Sequence, residues 1–79
     1  MAANKPLLDA IDLALKGEWD AAHHTVQDLE GETAAWIHAV LHKIEGDTSN
    51  AHYWYRRANR PFTDAAPAAE LAQIKAQLQ

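Results

Sequence analysis

Apolar residues recur along this chain at intervals of three and four, interrupted at three glycines, and that pattern predicts helices. Leu7, Ile11 and Leu15 stand four apart with Leu8 beside them, so a helix is expected from about Lys5 to Lys16. Pro6 falls in its first turn, where a missing N–H is harmless. Ala22, Val26 and Leu29 mark a second helix from about Trp19 or Asp20 to Leu29. A third runs from about Thr33, a fitting N-cap, to Glu45. Its apolar residues, Trp36, Ile37, Val40, Leu41 and Ile44, form two stripes, a face wider than one contact needs, so this helix belongs in the middle. The fourth runs from Asp47 or Thr48 to about Asn59, with Ala51, Tyr55 and Ala58 inward and Pro61 as its stop. A fifth begins near Thr63 or Asp64, with Pro67 still in its first turn, and carries a thin stripe of Leu71, Ile74 and Leu78. Gly17, Gly31 and Gly46 fall between helices, where a C-cap or tight turn belongs. No stretch alternates with period two for long enough to form a strand. The expected fold class is all-α, with five helices.

A chain of 79 residues is one domain, here 1–79. The helices pair into a first hairpin over about 5–30 and a second over about 32–60, closed by a capping helix over about 63–78. Folding so short a chain buries only about 60% of the surface its unfolded form exposes. A second copy, as a homodimer, is therefore an expected means of covering an apolar edge. With no cysteine, disulfides, thiolate zinc sites and a cysteine nucleophile are excluded. Residues 1–15 lack the apolar run of a signal peptide, and no 18-residue apolar stretch occurs, so a cytoplasmic protein without membrane contact is expected.

The two hairpins carry an internal repeat. Gly17-Glu18-Trp19-Asp20-Ala21-Ala22 precedes Val26 and Leu29, and Gly46-Asp47-Thr48-Ser49-Asn50-Ala51 precedes Tyr55 and Ala58. In each, an acid follows the glycine, an alanine comes five after it, and larger then small or apolar residues follow at four and three. These segments resemble the second half of a tetratricopeptide repeat (TPR), and Ala51-His52-Tyr53-Trp54-Tyr55-Arg56-Arg57-Ala58 is also similar to the short Sel-type repeats. The stretch from Asp47 to Arg60 further resembles a family of small bacterial proteins with a Tyr-Trp-Tyr-Arg-Arg-Ala segment, a likeness that supplies no function. The TPR likeness covers roughly Pro6 to Pro61. The glycines lie 29 residues apart, short of the roughly 34 of a TPR, and Trp36-Ile37-His38-Ala39-Val40 keeps the helix-A tryptophan without its glycine. Two registers are open for the third helix. In one, His38 and His42 face the fourth helix; in the other, Ala39 and Lys43 do. The resemblance implies a module that binds proteins or peptides.

Charge locates a candidate surface. Residues 1–47 carry nine acids against three bases, whereas residues 48–63 carry Arg56, Arg57 and Arg60 and no acid, on a chain of net charge −4. The overall sign argues against nucleic acid as a partner. His52, Arg56 and Arg60 share one helical stripe, and Tyr53 and Arg57 the next. These arginines pair with acids such as Glu45 or Asp47 or simply sit in water, or they grip a partner's carboxylate or phosphate beside Tyr53. The expected binding residues are Tyr53, Arg56, Arg57, Arg60 and His52, and the expected partner is a protein or acidic peptide.

Five histidines are an excess for this length. His38 and His42 stand four apart, a spacing able to chelate a metal. His23 or His24 from the second helix and His52 from the fourth are candidates for a third ligand. The alternative reading is thus a divalent-metal site, zinc for instance, at His23, His38, His42 and His52. The bland reading makes these histidines structural. Ala39 stands where a catalytic zinc helix needs glutamate, no Gly-x-Ser-x-Gly elbow or phosphate loop is present, and Ser49 reads as a cap. No catalytic residue is assigned; a hydrolase-type activity belongs only to the metal alternative, and the main reading needs no cofactor.

Overall fold

The computed structural model describes residues 4–79 and contains five helices: α1 (Lys5–Leu15), α2 (Trp19–Gln27), α3 (Glu32–Glu45), α4 (Thr48–Arg57) and α5 (Pro67–Leu78). Among the described residues there is no strand, so the fold is all-α. No helix is long and apolar enough to cross a membrane.

α1 pairs with α2 and α3 with α4, each through a turn of two or three residues. The turns have a common chemistry. At the end of α3, Gly46 takes φ +85°, its N–H donates to the Lys43 carbonyl, and the Asp47 N–H reaches the His42 carbonyl at 2.9 Å. These two bonds satisfy carbonyls that the helix end would leave bare. No atom would touch a Cβ at Gly46 within 4 Å, so the glycine is required by conformation alone. Gly46→Ala is therefore expected to lose about 1–2 kcal/mol of stability without altering the fold, readable as a lower urea midpoint at unchanged slope. The same pair of bonds closes α4, but there Asn59 supplies the positive φ (59°), and the Arg60 N–H reaches the Tyr55 carbonyl. Helix four thus ends at Arg57, two residues before the sequence pattern suggested.

Other ends and caps differ from expectation too, α2 stopping at Gln27, two residues short of Leu29. α3 starts at Glu32 behind Gly31, so Thr33 is inside the helix and does not cap it. The cap of α4 is Asp47, whose side chain accepts from the Asn50 N–H at 3.2 Å, which leaves Ser49 within the helix. α5 begins at Pro67, not near Thr63, because a residue before proline is driven out of the helical region. Ala66 accordingly sits at φ −57°, ψ 132°.

α3 is the central helix. Every residue from Ala34 to His42 is buried, and α3 packs on α1, α2, α4 and α5. Small residues set the close crossings: Ala10, Ala22, Ala39 and Ala51 are wholly buried, and Tyr55, Ile11, Val26, Leu71 and Ile74 fill the wider gaps. α5 folds back over α1 and α3. Lys75 donates to Asp12 at 2.8 Å and the Asn4 side chain to the Leu78 carbonyl at 3.2 Å. The α1/α3 face is thereby covered, and the opposite side, where α2, α3 and α4 meet, stays open.

Candidate functional site

Three of the five imidazoles meet on that open side. His38 and His42, one turn apart on α3, stack with ring centroids 5.0 Å apart. His23, from α2, presents its ring at steep angles to both, with centroids 4.7 and 5.4 Å away. Its Nε2 lies 3.0 Å from the His38 Nε2. One of this pair donates and the other accepts, so the two rings hold different tautomers. His42 uses Nδ1 against a Glu45 carboxylate oxygen at 2.8 Å. Its Nε2 makes no hydrogen bond among the described residues.

Two tryptophans brace the cluster. Trp19 stacks on His23 at 4.7 Å and is pinned through Nε1 to the Leu41 carbonyl. Trp54, from α4, lies flat on His38 at 3.8 Å. Both α3 histidines are buried, His38 at 5% exposure and His42 at 8%. Burial, then the neighbouring charges of His23 and His42, hold the His38 imidazole at a pKa of about 4. Burial, followed by His42, also lowers His23, while Glu45 and Asp20 pull the other way. At neutral pH His38 is therefore a neutral ring with a lone pair. One ring nitrogen from each of His23, His38 and His42 lies within 4.8 Å of the others, as metal ligands must.

His52 is elsewhere, stacked on Phe62 at 4.2 Å, and His24 faces Gln27 on the outer surface of α2. Of the candidate ligands His23, His24, His38, His42 and His52, the fold brings together His23, His38 and His42 only. It also shows why neither register of α3 excluded the other: Ala39 is as buried as the histidines, because this helix has neighbours on nearly every side.

The arginines separate in a similar way. The turn at Asn59 carries Arg60 away from the α4 stripe and lays its guanidinium 3.4 Å from the Trp36 ring centroid. Arg57 stays with Tyr53, donating to its Oη at 3.3 Å, and lies 5.3 Å from the Trp54 centroid. Arg56 is exposed, as is Tyr53. Among the described residues no arginine pairs with a carboxylate, so the expected partners Glu45 and Asp47 are not engaged by them.

Beside Arg57 opens a groove of about 680 Å³. Its apolar surface comes from Val26, Leu29, Ala34, Ala35 and Trp54, and His38 reaches it from the imidazole cluster. The α2–α3 end bears Asp28, Glu30 and Glu32, and the α4 side bears Arg57, so the groove is electrically polar along its length.

One charged residue escaped the sequence reading. Glu70 of α5 is 3% exposed. Its carboxylate accepts from the Trp36 Nε1 at 2.8 Å, from the Tyr55 hydroxyl at 2.7 Å and from the Lys43 Nζ at 2.6 Å. Lys43 also donates to the Thr63 and Ala65 carbonyls. Burial, then the bond to Glu70 and its charge, raise the Tyr55 hydroxyl far above its ordinary range. This network ties α3, α4, α5 and the loop before α5 together. A signal for it was available: Trp36 and Tyr55 bring donors into the core, and buried donors need an acceptor. Glu70 precedes Leu71 and stands four before Ile74, on the inward stripe.

Searches of family models, curated proteins and solved structures each returned no match to this chain. The class that the fold and site define is a five-helix protein of two helical hairpins, with an imidazole–indole cluster beside an open polar groove.

Proposed function

We propose that this protein is a binding module whose groove takes a segment of another protein, with an apolar side chain against Trp54 and a carboxylate on Arg57. The observation that carries this reading is the groove itself, with Trp54 in its wall and an arginine oriented by Tyr53 at its edge yet free of any ion pair among the described residues. Arginine matches carboxylates bidentately, and aromatic–arginine pairs are common anchors of interfaces. Asp28, Glu30 and Glu32 repel a partner's acids from the other end, so the charges orient the segment: its acidic end belongs at α4. The TPR-like pattern of the hairpins favours the same class of function, though by analogy of fold alone.

A direct test uses fluorescein-labelled peptides with a leucine–phenylalanine anchor, one series flanked by glutamates and one by lysines, read by anisotropy. The glutamate series is expected to bind, more weakly as salt rises. Arg57→Glu is expected to reduce that affinity about tenfold or more, because it replaces attraction by repulsion. Preference for the lysine series, or an unchanged affinity in Arg57→Glu, would overturn the reading.

A further inference from the structure

The imidazole cluster is a different matter from the groove, although His38 borders both. We propose that His23, His38 and His42 form a binding site for a divalent transition-metal ion, with Glu45 as the carboxylate that orients His42. Zinc–imidazole bonds of 2.0–2.1 Å at tetrahedral angles put neighbouring ligand nitrogens roughly 3.4 Å apart. The His23 and His38 Nε2 atoms are 3.0 Å apart, so a few tenths of an ångström of ring movement make room for an ion between them.

The present contact between these two nitrogens is no obstacle. It requires a proton on one Nε2, and moving that proton to Nδ1 of the same ring frees the lone pair without any net loss of protons. At His42 the two ring nitrogens already face different surroundings. Its Nδ1 is committed to Glu45, which leaves Nε2 as the ligand atom. Metal-bound histidines characteristically give their other ring nitrogen to a carboxylate or carbonyl, which fixes tautomer and orientation.

Rigidity supports the same assignment. The rings of His23 and His38 are each held by a stacked indole, and both α3 histidines sit on the central helix. Three nitrogens converging from two packed helices meet a metal at little cost in ordering. The donor set selects the ion. Three imidazoles with no thiolate on the chain suit zinc, copper(II), nickel or cobalt(II), not copper(I) or calcium. With three protein ligands, the fourth position is left for water or another small ligand.

A neighbouring group, His42, Glu45 and Asp47, also has the spacing of a metal site. It shares His42 but has one imidazole against two carboxylates, and Asp47 is committed to capping α4 through Asn50. The nitrogen-rich cluster is the better match for a borderline ion.

The test uses the full chain, stripped of metal by chelator and dialysis. Zinc is titrated by calorimetry, and copper(II) is followed by tryptophan fluorescence, since Trp19 and Trp54 lie against two proposed ligands while Trp36 is engaged with Glu70. The expected result is one ion per chain and quenching that saturates at that stoichiometry. His23→Phe keeps a flat ring against Trp19 and is expected to weaken zinc binding about tenfold or more; Glu45→Gln, which alters only the orienting partner, is expected to weaken it about tenfold. His24→Ala, His52→Ala and Asp47→Asn are expected to bind as the parent does. Circular dichroism of each variant checks that the helices persist. Absence of saturable one-to-one binding would overturn the site. So would undiminished affinity in a folded His23→Phe, or a loss in Asp47→Asn as large as in His23→Phe. Peptide binding in the groove is measured separately on the metal-free chain, so either proposal can fail alone.

Discussion

Glu70→Ala is expected to destabilise the protein by about 3–5 kcal/mol, the cost of breaking a buried ion pair from one side. The Lys43 ammonium is almost enclosed, with 12% of its side chain exposed, and would keep only two backbone carbonyls as partners. The indole N–H of Trp36 and the hydroxyl of Tyr55 would lose their common acceptor inside the core. A domain of this size has a total stability of roughly 4–12 kcal/mol, so the variant should be partly unfolded at 37 °C. Urea unfolding followed by tryptophan fluorescence gives the comparison. A loss below about 1 kcal/mol would show that water replaces the carboxylate and that the network adds little.

Glu70→Gln separates charge from shape. The amide keeps one acceptor oxygen and most of the volume but brings a donor towards the Lys43 ammonium and the Tyr55 hydroxyl. Its loss should be substantial but smaller than that of alanine. Lys43→Met leaves the carboxylate with two donors, so it too should cost less than Glu70→Ala. The double variant should show the two residues to be coupled, because they share one contact. All of these act first on α5, whose only deeply buried side chains are Glu70, Leu71 and Ile74.

The helices themselves were legible because most of them have a wet side. In α1, α2 and α4 the apolar residues repeat at three and four against a polar background, and each expected helix is present. The three glycines all have positive φ, which their position between helices suggested. Legibility failed where that contrast vanishes. α3 is buried from Ala34 to His42, so periodicity could not decide which residues face which neighbour. It also failed where a local turn redirects the chain. Asn59 in the left-handed region sends Arg60 to Trp36, a position no helical stripe would give. Glu70 was hidden for a third reason: a glutamate on a polar helix reads as solvated, and only the donors gathered from α3 and α4 make it a core residue. Of the metal candidates, the pair at His38 and His42 was readable from spacing. The choice of His23 over His24 and His52 depended on how α2 and α4 are rotated against α3.

Acidification from pH 7 to pH 4 is expected to destabilise the metal-free protein. His38 is the source. Its imidazole is held at about 4 in the folded chain, chiefly by burial, against 6.5 when unfolded. Above pH 6.5 the ring is neutral in both states and contributes no pH dependence. Between 6.5 and 4 the unfolded chain takes up a proton that the folded chain refuses, so stability falls as pH falls. Below 4 both forms are protonated and the loss is complete, on the order of 3 kcal/mol. The groups around the ring agree with this sign. His23 from α2 is itself lowered and adds to the loss, and His42, on α3 with His38, opposes a charge on both. Trp54 from α4 covers one face of the ring and gives no anion to stabilise an imidazolium. Asp20 and Glu45 act on His23 in the opposite sense without reversing it. Urea midpoints measured with chelator between pH 7 and pH 4 should therefore decline steadily, and His38→Phe should flatten the upper part of that decline. A parent midpoint that is level down to pH 4.5 would mean that water reaches the ring and that the stacked Trp54 indole does not exclude it.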